Sequence, residues 1–183
     1  MKIFLKGFCI GLLCLSLLGL LWFLVLQPGL TNGEAQALKT EYAQPLPGAE
    51  SSGVLPAGKE QLEPESLVDL PALQAEYPDI KGWISIPGTR IDYPVMQTKD
   101  NPNFYLKHAF DKSYSSYGVP YMQENCDVGI SDNLVLYGHH MNNGSMFSDL
   151  CKYESQDFYR EHKPIRFDTW DSSGEYEVIA AFK

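Results

Sequence analysis

The chain has 183 residues and a formal net charge of −9, with 44% hydrophobic and 20% charged residues. With Lys2 and Lys6 set apart, residues 27–183 hold 12 basic against 23 acidic side chains, a balance of −11 that argues against nucleic acid as a partner. Of the 4 cysteines, Cys9 and Cys14 fall in an apolar run, so Cys126 and Cys151 can form one bridge at most and a disulfide-built scaffold is excluded.

From Gly7 to Leu26 run 20 residues without a charge, rich in Leu and carrying Trp22 and Phe23. That length is enough to cross a bilayer core as a helix. Lys2 and Lys6 precede it, which predicts a cytoplasmic N-terminus and an outward-facing remainder, a single-pass protein of the cell membrane. Ala35-Gln36-Ala37 has the small-x-small form of a cleavage site, but it lies too far past the run, which itself exceeds the usual ~7 to 15 residues of a signal core. An uncleaved signal anchor over residues 1–26 is therefore expected. Residues 27–65 follow, with "QPLPGAESSGVLPAG" lacking any apolar period, and predict a flexible extracellular stalk.

A folded domain over residues 66–183 comes next. Asp69 as N-cap, Pro71 in the first turn and Leu70, Leu73 and Tyr77 on one face predict a short helix ending before Pro78. "WISIPGTRIDYPV" predicts two strands about a type II turn at Pro87-Gly88, with Ile91, Tyr93 and Val95 alternating toward one face. "DNPNFYLKHAF" reads as a loop with a helical turn, and "VPYMQE" as a strand. "LVLY", apolar on both faces, predicts a central strand covered on each side. Phe147, Leu150 and Cys151 take helical spacing, and a second helix starts at Ser155 with Phe158 and Tyr159 inward. A hairpin closes the chain, turning at Asp171-Ser172-Ser173-Gly174, with Tyr176, Val178, Ala180 and Phe182 alternating along a strand that the sequence leaves unfinished. Because a long apolar strand is seldom an unprotected edge, the sequence reads as the front part of a longer domain. The class is mainly β with an N-terminal helix.

Four constellations could carry chemistry. His139 and His140 follow the apolar strand in "NLVLYGHHM"; on extended backbone they point to opposite faces and cannot easily share a metal. A histidine just past a strand and a glycine suits proton transfer near neutral pH, or is a hydrogen-bonded structural histidine. Cys151 lies on an apolar helix face and Cys126 stands between acids in "ENCD", so neither has the positive neighbour that a thiolate nucleophile needs. Ser145 in "NGSMF" reads as a helix N-cap. Asp92, Asp100, Asp111, Asp127 and Asp132 lack calcium-loop spacing and read as solvated surface and turn residues.

Taken together, "DIKGWISIPGTRIDYPVMQ", "DNPNFYLKHAF" and "DNLVLYGHHMNNGSMFSDL" resemble the class B sortases, membrane-anchored cysteine transpeptidases of Gram-positive bacteria, over about Leu67 to Lys183. The resemblance implies a closed eight-stranded β-barrel, of which this chain would supply about six strands, preceded by the transmembrane helix and stalk. It implies that a cysteine thiolate cleaves a sorting-signal peptide after its threonine and that an amine of the cell wall or of a pilin takes the acyl group. It places His139 as the catalytic histidine and Asn101 and Leu106 on the substrate groove, and it requires no cofactor. His140 stands where the family often has asparagine. The family's Thr-Thr-Cys segment and later arginine have no match here: Cys126, Cys151, Arg160 and Arg166 are all at the wrong places, so the chain by itself is expected to be inactive. Two other readings are a membrane-tethered, non-catalytic β module that binds a peptide, and a metal protein using His108, His139, His140 and His162.

Overall fold

Asp69 caps the first helix of the domain as its sequence dictates: its carboxylate accepts the Ala72 N–H at 3.0 Å, Pro71 occupies the first turn, and Leu70 and Leu73 are buried. The computed structural model describes residues 2–21, 27–44 and 67–182, with side chains over 11–21, 33–43 and 68–182. The elements in chain order are α1 (Lys2–Leu21), α2 (Gln27–Glu41), β1 (Ala43–Gln44), β2 (Leu67–Val68), α3 (Leu70–Glu76), β3 (Ile80–Ser85), β4 (Asp92–Met96), β5 (Tyr121–Met122), β6 (Leu136–Tyr137), α4 (Gln156–Glu161), β7 (Pro164–Asp168) and β8 (Ser173–Glu177). The described residues also include two 3-10 segments, Phe104–Leu106 and Phe147–Glu154.

Six strands form one sheet in the order β6-β5-β4-β3-β7-β8, while β1 and β2 pair separately. All neighbours in the large sheet are antiparallel except β4 and β5, which run parallel through Met96 and Tyr121. β3 and β4 meet through the expected turn, in which Thr89 N–H reaches Ile86 O at 3.1 Å and Gly88 has φ of 75°. Successive residues feed opposite cores. Ile84, Val95 and Met122 join Ile86, Ile91, Tyr93 and Phe167 on one side; Trp83, Met96 and Tyr121 join Leu38, Leu73 and Tyr105 on the other. β4 is thus buried on both faces, not on one as its alternation suggested, because Tyr105 and the α2–α3 layer cover the second side.

Several expectations are corrected. The stretch read as stalk is helical over Gln27–Glu41: Ala35 and Leu38 bury against the sheet, and Lys39 bonds both oxygens of Asp92 at 3.1 and 2.9 Å. Asp92 is therefore no solvated surface residue, since Trp83 Nε1 also donates to it at 2.7 Å. "LVLY" is a sheet edge and not a central strand; only Leu136–Tyr137 pair, with β5 alone, and Tyr137 is 41% exposed. The last hairpin turns two residues earlier than expected, because Thr169 N–H bonds Ser172 O at 2.7 Å and Asp168 already pairs with Ser173. β8 ends at Glu177, and Ile179 and Phe182 beyond it are 96% and 93% exposed. In the segment after His139, Ser148, Asp149 and Tyr153 are buried where Phe147, Leu150 and Cys151 were expected to be, because the 3-10 winding rotates the inward face.

α1 is helical over Lys2–Leu21, and Leu12 to Leu21 expose their apolar side chains. Among the described residues no helix is long and apolar enough to cross a membrane. The expected span over Gly7–Leu26 lies partly outside the described residues, and the stretch 45–65 of the expected stalk lies wholly outside them.

Candidate active site

Antiparallel pairing of β6 with β5 sets Tyr137 opposite Tyr121, and their rings lie 5.4 Å apart. The chain then passes Gly138 and delivers His139. Gly138 is there for space: a Cβ would stand 2.5 Å from the Phe147 ring. The same Phe147 donates its N–H to His139 O at 2.9 Å, and His140 bridges Met146, so the segment 139–140 is paired with 146–147 and the intervening loop is closed.

That loop is cross-linked from within. Ser148 Oγ accepts Met141 N–H at 2.7 Å and lies 2.7 Å from both Met141 O and Ser145 O. Asn143 Oδ1 takes Ser145 N–H at 3.1 Å and Ser145 Oγ–H at 2.7 Å. Ser145 is therefore a buried tie inside the loop and not a helix cap. Arg90 donates from its guanidinium to Asn143 O at 2.8 Å. Met146 has φ of 56°, a conformation that costs a non-glycine residue about 1–3 kcal/mol. Its complete burial and its N–H bond to Tyr93 Oη at 3.2 Å hold it there.

Asp149 anchors the loop to the β3–β4 turn. Its side chain is buried, accepts Arg90 N–H at 2.8 Å and pairs with Lys152 at 2.8 Å. Burial pushes its carboxyl up, but Lys152 and the Arg90 amide outweigh that and hold it below the usual carboxylate range.

The His139 ring is half-buried, and its Nε2 lies 2.9 Å from Leu106 O. Leu106 ends the 3-10 turn Phe104–Leu106 and so touches the histidine through its carbonyl. Asn101 is exposed and reaches the site only through that turn: its carbonyl accepts Phe104 N–H at 3.1 Å and Thr98 Oγ1–H at 2.7 Å. Gly118 lies beneath, with φ of 58°. A Cβ there would collide with Tyr105 O and stand 2.5 Å from Leu106 O.

The other candidates lie elsewhere. His108 and His162 each bond through Nδ1 the carbonyl four residues back, at 2.7 and 2.9 Å, and stack on Phe104 and Phe158. His140 is exposed. Among the described residues no three His, Cys, Asp or Glu side chains are placed to hold a metal, so the four histidines do not converge as the metal reading required. Cys126 and Cys151 are free thiols. Cys126 is buried with Sγ 3.5 Å from Val135 N and Asn133 O, and Cys151 lines a cavity of about 430 Å³ with Ile165 and Val178. Arg160 pairs with Asp157 and Arg166 with Asp168. Among the described residues, no thiol and no arginine is hydrogen-bonded to His139.

A family model described as the sortase domain matches residues 84–183. The chain belongs to the sortase family. Sortase B of Listeria monocytogenes serovar 1/2a (strain ATCC BAA-679 / EGD-e) is 34% identical over 116 residues, covering 63% of this chain and 47% of that protein. Sortase B of Staphylococcus aureus (strain NCTC 8325 / PS 47) is 37% identical over 106 residues, covering 57% and 43%. This sortase thus spans less than half the length of those two relatives. Among solved structures, the Staphylococcus aureus sortase B–substrate complex superposes with a TM-score of 0.58 at 33% identity, covering 61% of this chain and 51% of that one. Sortase B complexed with triglycine gives 0.57 at 34%, covering 60% and 51%. Sortase B from Listeria monocytogenes gives 0.54 at 36%, covering 61% and 63%. The mainly β sheet is accordingly similar to part of the sortase B fold.

What the sequence missed is the carbonyl partner of His139 and the strained Met146. Gly118, just before the "VPYMQE" strand, was the local hint of close backbone approach.

Proposed function

We propose that this chain carries the histidine-bearing part of a class B sortase, a cell-surface cysteine transpeptidase in which His139 handles the proton. The thiolate attacks the threonine carbonyl of a sorting-signal peptide, the C–N bond breaks, and the imidazolium gives its proton to the leaving amine. An amine of the cell wall or of a pilin then attacks the thioester, returns its proton to the imidazole and releases the thiolate. The observation that carries this reading is the placement of His139: it stands beyond β6 on a loop fixed by Ser148, Arg90 and Asp149, with Nε2 held by Leu106 O and Nδ1 without a hydrogen-bond partner among the described residues. The substrate and triglycine complexes of the related sortase B structures support a peptide and an amine as the two partners; that Asn101 and Leu106 lie on the peptide side follows from the family resemblance alone. Neither Cys126 nor Cys151 meets the imidazole, so the 183 residues alone should not form an acyl-enzyme.

The apolar run Gly7–Leu26, which begins within α1, is the proposed membrane anchor. Its leucines, 51% to 68% exposed from Leu12 to Leu21, would each gain about 1–2 kcal/mol by leaving water, and Lys2 and Lys6 favour a cytoplasmic N-terminus.

A chimera tests the reading. Residues 67–182 of this chain, joined to the remaining part of Staphylococcus aureus sortase B, should cleave a fluorogenic sorting peptide and transfer it to triglycine, whereas the 183-residue chain should not. His139→Ala in the folded chimera should lower kcat/KM by a factor on the order of 10²–10⁴. Cleavage by the chain alone, or an active chimera indifferent to that substitution, overturns the proposal.

A further inference from the structure

The Leu106 carbonyl can only accept a hydrogen bond, so at 2.9 Å the His139 Nε2 must be the donor. An imidazole whose Nε2 keeps its hydrogen has Nδ1 as the bare nitrogen when neutral. No described residue is hydrogen-bonded to His139 Nδ1.

The carbonyl is not free to leave. It belongs to a turn fixed by Leu106 N–H on Asn103 O at 3.0 Å and by Lys107 N–H on Phe104 O at 3.3 Å. Its underside rests on Gly118, whose own N–H bonds Ser115 O at 3.2 Å, while Val119 N–H takes the adjacent Tyr105 O at 3.1 Å. Any side chain at 118 would enter the space that the Tyr105 and Leu106 carbonyls occupy, and φ of 58° already disfavours one.

We propose that Gly118 is a positioning residue: the room it leaves sets the Leu106 carbonyl on His139, confines the neutral imidazole to the Nε2–H form, and so makes Nδ1 the nitrogen that exchanges protons. The tautomer stands on the geometry alone; its use for proton transfer rests on the transpeptidase reading. A reacting thiol or leaving amine is then met from the Nδ1 side of the ring, away from Leu106. The hydrogen that stays on Nε2 keeps the ring from turning over between turnovers.

The test is spectroscopic and needs no turnover. The full chain, labelled with ¹⁵N-histidine and ¹³C-carbonyl leucine and held in detergent micelles, is recorded at a pH where the imidazoles are neutral. His139 should show a protonated Nε2, an unprotonated Nδ1, and a coupling from Nε2 through the hydrogen bond to the Leu106 carbonyl carbon. Gly118→Ala should remove that coupling and draw the two ring-nitrogen shifts toward each other as both tautomers become populated, with His108 and His162 unchanged. An Nδ1–H tautomer or an averaged pair in the unmodified chain overturns the proposal whether or not the variant folds, and so does a folded Gly118→Ala that keeps the original pattern. If the tautomer is as expected but His139→Ala leaves the chimera active, the transpeptidase reading fails and the positioning of the ring stands.

Discussion

Asp149 is a buried carboxylate with Arg90 N–H on one oxygen and Lys152 on the other. Removing it leaves the Arg90 amide without its partner, and hydrogen bonds to a charged group are worth roughly 1.5–3 kcal/mol. Asp149→Ala should lower unfolding stability by about that amount in urea denaturation. The acid dependence follows from the sign of the shift. The folded carboxyl titrates below its unfolded value of about 4, so its contribution is complete above that pH and is lost as the pH falls through the lower, folded value. Asp79 behaves alike: burial opposes its charge, but Lys112 and the Tyr105 hydroxyl prevail. The urea midpoint should therefore drop below about pH 4, and Asp149→Asn should show a smaller drop; an equal drop refutes the assignment. None of this was legible in the sequence, where Phe147, Leu150 and Cys151 read as one helical face and no local pattern marks Asp149 as buried. His139 was legible as a candidate because Tyr-Gly-His follows an apolar run, but its carbonyl partner lies 33 residues away in a loop whose fold no local pattern dictates.

At the scale of elements, α2 is the layer that covers β4. Leu38 is 4% exposed and joins Leu70, Leu73 and Trp83, so Leu38→Ala should destabilise by about 2–5 kcal/mol in thermal or denaturant melts. Lys39→Ala should cost less, about 1–2 kcal/mol, since Lys39 bonds both oxygens of a largely buried Asp92 that Trp83 still serves after the change. Inverting that ranking would mean that charge, not burial, docks the helix. α2 escaped sequence reading because Pro28, Gly29 and Gly33 suggest a linker; its helicity is secured by tertiary contact through Ala35 and Leu38. α3 and the Pro87-Gly88 turn were legible because cap, proline and glycine chemistry is local. β6 was misread because an apolar run reports burial of side chains and not how many strands flank it; Leu134 and Val135 pack inward from outside the ladder.

For the molecule as a whole, the exposed leucines of α1 bear on where it resides. The full chain should float with phosphatidylcholine vesicles in a density gradient. Leu13→Lys combined with Leu17→Lys, at an expense on the order of 5 kcal/mol for two central lysines, should leave it in the dense fraction. Flotation of the double variant to the same extent would remove α1 as the anchor.

The parallel pairing of β4 with β5 also bears on how the site assembles. Parallel neighbours cannot be joined by a tight turn, so residues 97–120 make a long crossing, and Leu106 rides on it while His139 arrives from the opposite direction on the β5–β6 hairpin. Closing so distant a connection is slow compared with winding α3 or zipping β7 onto β8. On refolding, the histidine resonances should accordingly recover no earlier than far-ultraviolet dichroism does, because the proton-handling geometry needs that crossing closed.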